Sequence, residues 1–286
     1  MSENPTKAES VNEVMPETFC RCWNAESETE PGNPDCSCGE ELDIIKWRWE
    51  LPKRTPKWVD LYEDQKQVVF HPLYSLGTAI VKGNIPIEHN EHYYWEVKML
   101  TQPYGTDIMV GVGSQGLAES VRDFTSYLGG NEDSYGLSYT GAICQNQTVT
   151  DDCPGFCKGT IVGVMVDMFH GTLEFYLNRE PQGISFTDLR RHKILYPMLS
   201  STAAQSAMRL TYASSWKNSL LINAAKVLAA SVSNKSYLKV MPPGLLHTMK
   251  TEFWIPLRSA GKQQGNDSDE AQIARPIRTK VKNRRW

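Results

Sequence analysis

Val166-Asp167-Met168-Phe169-His170-Gly171-Thr172-Leu173-Glu174-Phe175-Tyr176-Leu177-Asn178 reads as a β-hairpin. Gly171 supplies the backbone freedom that a tight turn needs. Asp167, at the turn, is suited to accept turn hydrogen bonds rather than to move protons. Outward from this hairpin the period stays at two. Tyr93-Tyr94-Trp95-Glu96-Val97-Lys98-Met99 sends Tyr93, Trp95, Val97 and Met99 to one face. Gln67–Phe70, Ile108–Val112, Ile161–Val166 and Leu173–Leu177 are further short strands. Turn residues separate them at Pro103–Gly105, Gly129–Asn131, His170–Gly171 and Asn178–Pro181. Many short strands with little helix between them predict a two-sheet antiparallel sandwich over residues 44–214. A domain of about 170 residues buries roughly 70% of its unfolded surface, enough for a core of its own.

After Trp216 the period becomes helical. Leu220, Ala224, Val227 and Leu228 share one face, with Asn218 or Ser219 as the N-cap. Past Pro242-Pro243-Gly244, Leu245, Leu246, Met249, Phe253 and Trp254 recur at helical spacing. Residues 215–257 thus read as a helical hairpin too small to stand alone, one that needs the sandwich or a partner. Residues 1–43 carry 11 acids against Lys7 and Arg21 and have few large apolar groups, so they read as an acidic disordered arm. Residues 258–286 read as a linker and a basic tail, with six bases between Arg275 and Arg285. That density suits a nuclear import signal, so residence in nucleus and cytoplasm is expected.

The 286 residues are 40% hydrophobic and 22% charged with a net charge of −3, a globular balance that excludes a wholly disordered or collagen-like chain. No apolar run approaches the ~18 residues of a membrane span, and Met1-Ser-Glu-Asn-Pro5 has no secretory pattern. The 7 cysteines are therefore expected as reduced thiols, and no membrane contact is expected. Cys20-x-Cys22 and Cys36-x-Cys38 could surround a tetrahedral zinc, but paired structural ligands are usually spaced by two residues or more. The expectation is free thiols and no metal or other cofactor.

Gly111-Val-Gly113-Ser-Gln-Gly116 matches a dinucleotide-binding pattern, yet turn and strand follow it rather than a βαβ unit, so its glycines serve a strand end. The chain has no HExxH, GxSxG or P-loop, and its six histidines lack metal or nucleophile spacing. An enzyme is not expected. The basic tail lacks interleaved aromatics apart from Trp286, so direct nucleic-acid binding is not expected either.

Gly171-Thr-Leu-x-Phe-Tyr-x-Asn178, Tyr93-Tyr-Trp-Glu-Val97 and Tyr196-Pro-Met198 resemble the SPRY, or B30.2, family. Pro103-Tyr-Gly-Thr-Asp-Ile-Met-Val-Gly111, Asp133–Gly141 and Tyr196–Ala204 look closer still to the SPRY domain-containing SOCS box proteins. The resemblance runs over roughly residues 18–257. It implies a mainly β fold, a bent antiparallel SPRY/B30.2 sandwich followed by a small α-helical SOCS box. It also implies loops at one end that hold a short target peptide, and helices that bind the elongin B/C pair and a cullin of the cullin-5 type with its RING protein.

Carried over residue by residue, the peptide pocket falls on Pro72, Tyr74, Tyr104, Gly105, Thr106, Phe124, Thr202 and Ala203. The elongin-binding face falls on Leu220, Ala224, Val227 and Leu228, with Ala224 where the family has cysteine. The cullin contact falls on Pro242, Pro243 and Leu245, where only one proline of the family's Leu-Pro-x-Pro run is kept. The reading is a substrate-recognition adaptor of an elongin–cullin–RING ubiquitin ligase. A peptide-binding scaffold without ligase coupling stays open beside it, because of those two departures.

Overall fold

The computed structural model describes residues 16–19, 36–51, 53, 57–117, 120–150, 153–224, 242–244 and 247. In chain order the strands are β1 (Trp49–Glu50), β2 (Val59–Tyr62), β3 (Gln67–Phe70), β4 (Thr78–Gly83), β5 (Glu91–Met99), β6 (Ile108–Ser114), β7 (Ser120–Val121) and β8 (Ser134–Ser138). They continue as β9 (Ile143–Gln145), β10 (Thr148–Thr150), β11 (Ile161–Asp167), β12 (Thr172–Leu177), β13 (Glu180–Phe186), β14 (Leu195–Ser201) and β15 (Ser206–Lys217). One sheet runs β1-β4-β14-β6-β8-β9-β10, with β7 beside β4; the other runs β13-β12-β11-β5-β15-β3-β2. All these pairings are antiparallel. The sandwich expected from the period-two pattern is the fold. No helix among the described residues is long and apolar enough to cross a membrane.

Tyr93, Trp95, Val97 and Met99 point into the core, where they join Val110 and Val112 of β6 and Leu199 of β14. Trp47 packs edge-on against Trp49 and Trp95, at ring separations of 5.0 and 6.0 Å. The β11–β12 hairpin closes as its residues predict. Asp167 Oδ1 accepts the backbone N–H groups of Phe169 and His170, and Gly171 takes φ +74°. Gly111 belongs to sheet packing, since a Cβ there would lie 1.9 Å from the Tyr135 carbonyl of β8.

Two boundaries need correction. Order does not begin near Ile44, because residues 36–43 and 16–19 lie against the outer face of the seven-stranded sheet. There His92, Tyr94, Glu96 and Lys98 of β5 are also buried. Lys98 Nζ donates to the carbonyls of Cys36 and Cys38 and to Glu40, while Arg179 donates to the Gly39 carbonyl and to Glu96. Phe19 donates its N–H to the Gly159 carbonyl and lies under the Arg179 guanidinium. What holds residues 16–19 and 36–43 is their carbonyls and two carboxylates, Glu40 beside Lys98 and Arg209 and Glu41 beside Arg179, so poverty in apolar side chains does not keep these segments free. The second boundary is at residue 215. Ser215, Trp216 and Lys217 still pair with Tyr93, His92 and Glu91, so the strand runs to Lys217. Cys20 and Cys22 lie outside the described residues; among the described residues no group of three or more His, Cys, Asp or Glu side chains could hold a metal.

Candidate functional site: the loop cluster at the end of β5

Four connections meet where β3, β5 and β14 end: 71–77, 100–107, 122–127 and 202–205. Thr202 ties them at the root. Its N–H donates to the Asp107 carbonyl at 2.9 Å, and its Oγ1 accepts the Asp107 N–H at 3.0 Å. Ser75 Oγ donates to the Thr202 carbonyl at 2.7 Å, which ties in the first loop. Thr78 Oγ1 donates to the Asp123 carbonyl and accepts the Thr125 N–H, which ties in the third. His71 closes the knot, with Nε2 3.1 Å from the Ser201 carbonyl and its own carbonyl accepting the Gln205 N–H.

The second loop is shaped by a left-handed residue. Gly105 has φ +84°, a conformation that side-chain-bearing residues rarely adopt. A Cβ there would lie 3.2 Å from Thr202 Oγ1. Tyr139 donates its hydroxyl to the Gly105 carbonyl at 3.0 Å, and Tyr104 donates to the Ala204 carbonyl at 2.6 Å. The turn is thus held from both sides before anything binds.

Above this polar root the surface is apolar. Leu73 is 82% exposed, and Tyr74, Leu76, Tyr104 and Phe124 are each at least half exposed. Below it lies Asp107, whose carboxyl accepts the Ser138 hydroxyl at 2.6 Å; burial pushes its pKa up to about 6. Burial also lowers the pKa of the His71 ring. Exposed aliphatic and aromatic groups beside a preset backbone suit an extended segment with an apolar side chain.

The structure brings the eight expected pocket residues into this one cluster, on two levels. Tyr74, Tyr104, Gly105, Thr106 and Phe124 are exposed, Pro72 is half-buried, and Thr202 and Ala203 are buried. The last two form the base rather than the surface. Sequence reasoning missed Leu73 and Leu76, although an apolar run just before Gly77 was the available signal. It also missed Asp107, Ser75 and Tyr139, whose roles are hydrogen bonds between loops distant in sequence.

Leu220 and Ala224, of the expected elongin-binding face, lie just past the far end of β15. Residues 220–224 are helical, and Ser219 is the N-cap, its Oγ accepting the Ile222 N–H at 3.3 Å. Leu220 is 88% exposed and Ala224 is exposed, whereas Ile222 is buried. Pro242 and Pro243 are exposed; Val227, Leu228 and Leu245 lie outside the described residues.

The SPRY domain profile matches residues 92–214. SPRY domain-containing SOCS box protein 3 of Xenopus laevis is 33% identical over 281 residues, covering 93% of this chain and 76% of that protein. The Xenopus tropicalis protein of the same name matches to the same extent. Among solved structures, the TRIM65 PSpry domain aligns with a TM-score of 0.47 at 18% identity, over 58% of this chain and 90% of that one. A third of the residues shared along nearly the whole length, with the SPRY match inside it, settles the family: the chain belongs to the SPRY domain-containing SOCS box proteins.

Proposed function

We propose that this chain is a non-catalytic substrate-recognition adaptor of an elongin B/C–cullin–RING ubiquitin ligase. In this reading the loop cluster at residues 71–77, 100–107, 122–127 and 202–205 takes a short target peptide, and the helix that starts after Ser219 takes elongin. The observation that carries it is the helical turn at 220–224. Within it Ile222 is buried, while Leu220 on another side stands 88% exposed. An exposed leucine on an anchored helix is what an incoming apolar pocket requires, and burying such a side chain is worth ~1.5–3 kcal/mol. Pro242, Pro243 and Leu245 are read as the cullin contact. The basic cluster from Arg278 to Arg285 is read as an import signal, giving residence in both nucleus and cytoplasm.

Calorimetry of the full chain with purified elongin B/C tests this. Wild type is expected to bind, and Leu220→Asp to weaken binding by at least tenfold, because it drives a carboxylate into an apolar pocket. Ala224→Cys, which restores the family residue, is expected to bind at least as well as wild type. No binding by wild type at tens of micromolar would favour the scaffold without ligase coupling.

A further inference from the structure

Strand β15 runs from the loop cluster to the helix, with one irregularity in its pairing to β5 between Leu210 and Tyr212. Its first residue, Ser206, follows the 202–205 loop, and its last, Lys217, pairs with Glu91 at the opposite end of β5. Twelve residues of strand span roughly 36 Å. At the far end the chain must turn from strand to helix within Asn218 and Ser219. A covalent link and an N-cap would leave the direction of that helix free.

His92 removes this freedom. Its side chain is fully buried on the outer face of β5, with Nδ1 3.3 Å from Asp167 Oδ1. Its Nε2 stands 3.4 Å from Asn218 Oδ1. Asp167 cannot yield, because its carboxylate also takes the N–H groups of Phe169 and His170 and faces the His170 ring at 2.9 Å. On the helix side, Asn218 donates its N–H to the Asn90 carbonyl, and Asn218 Oδ1 accepts Asn223 Nδ2 at 3.1 Å, one turn up. Ile222, in the same helical turn, is buried. The hairpin turn, the central strand and the first helical turn are therefore joined through one imidazole.

We infer that His92 is a positioning residue: braced by Asp167, it holds Asn218 and so sets the direction in which the helix leaves the sandwich. The consequence for function rests on the adaptor reading. With β15 as a stiff strut, the clamp fixes the vector from the target-binding loops to the elongin-binding helix. A ligase adaptor needs such a vector to present a target lysine at a constant place.

The test uses the full chain with spin labels, carried by non-natural residues, at Glu180 and Leu221, both exposed. Pulsed electron double resonance reads the distance distribution between them. His92→Leu and Asn218→Ala are each expected to broaden it at least twofold, while His92→Gln, whose amide NH2 carries two donors for the two facing oxygens, retains the wild-type width. Asn218 is half-buried, so its variant folds even where His92→Leu does not. Unchanged width in Asn218→Ala would overturn the inference, as would equal broadening by His92→Gln and His92→Leu. Elongin calorimetry on the same proteins is read separately. Narrow wild-type distances without elongin binding would uphold the clamp and remove the ligase reading; binding with widths that no variant alters would do the reverse.

Discussion

Asp107 sits 4% exposed under the candidate pocket, with a pKa raised from 3.8 to about 6. The folded state therefore holds this proton more tightly than the unfolded chain does. The group's contribution to stability is greatest below about pH 4 and is lost as pH rises through about 6. His71, in the neighbouring loop, works in the opposite sense. Its folded pKa lies below 6.5, so its contribution is lost as pH falls through that value toward the folded one. A difference profile separates the two. With Asp107→Asn as reference, the wild-type melting temperature should rise relative to the variant between pH 7 and pH 5, because only wild type loses a buried charge. Parallel profiles would refute the assignment. The same residue shows the limit of reading a site from sequence. The resemblance pointed to Tyr104-Gly105-Thr106, but nothing in the local sequence says that the next carboxyl lies beneath Ser138 and Thr202, 31 and 95 residues away.

Among elements, the strands were legible and the arm was not. β3 matches Gln67–Phe70 to the residue, and β6, β11 and β12 extend the expected runs by one or two residues. Alternation gives a strand away because one face must be apolar. The outer face of β5 breaks that logic. Glu96 is fully buried there and paired with Arg179, their closest contacts 3.1 Å, and burial pushes the Glu96 carboxyl up against the pull of the guanidinium. A pattern of polar residues cannot reveal that a second layer of chain lies over them. This pair makes a sharp prediction about that layer. Arg179→Met leaves Glu96 buried without its cation and should cost about 3–5 kcal/mol in urea denaturation. The double variant Glu96→Leu/Arg179→Met removes both charges and should recover most of that loss. A single variant within about 1 kcal/mol of wild type would show that the arm and its arginine only decorate the sheet.

At the scale of the whole molecule the two apolar surfaces are kept apart by the sandwich. The loop cluster caps one end of β15 and the Ser219 helix starts from the other, with the full length of the strand between them. Nothing exposed is shared: Leu73, Tyr74, Leu76 and Phe124 belong to loops rooted on Thr202 and Thr78, while Leu220 stands on a helix rooted on Asn218. Substitutions at distant sites with no common partner act independently. Leu73→Asp combined with Tyr74→Ala should therefore change the set of proteins recovered by proximity labelling in cells while leaving elongin B/C affinity within twofold. Leu220→Asp should do the converse, keeping the labelled targets and losing elongin. Because all three side chains are well over half exposed, both variants should melt within about 3 °C of wild type. Loss of both activities in either variant, with the melting temperature held, would mean that the ends communicate. The strand would then transmit a conformational change rather than hold a fixed distance.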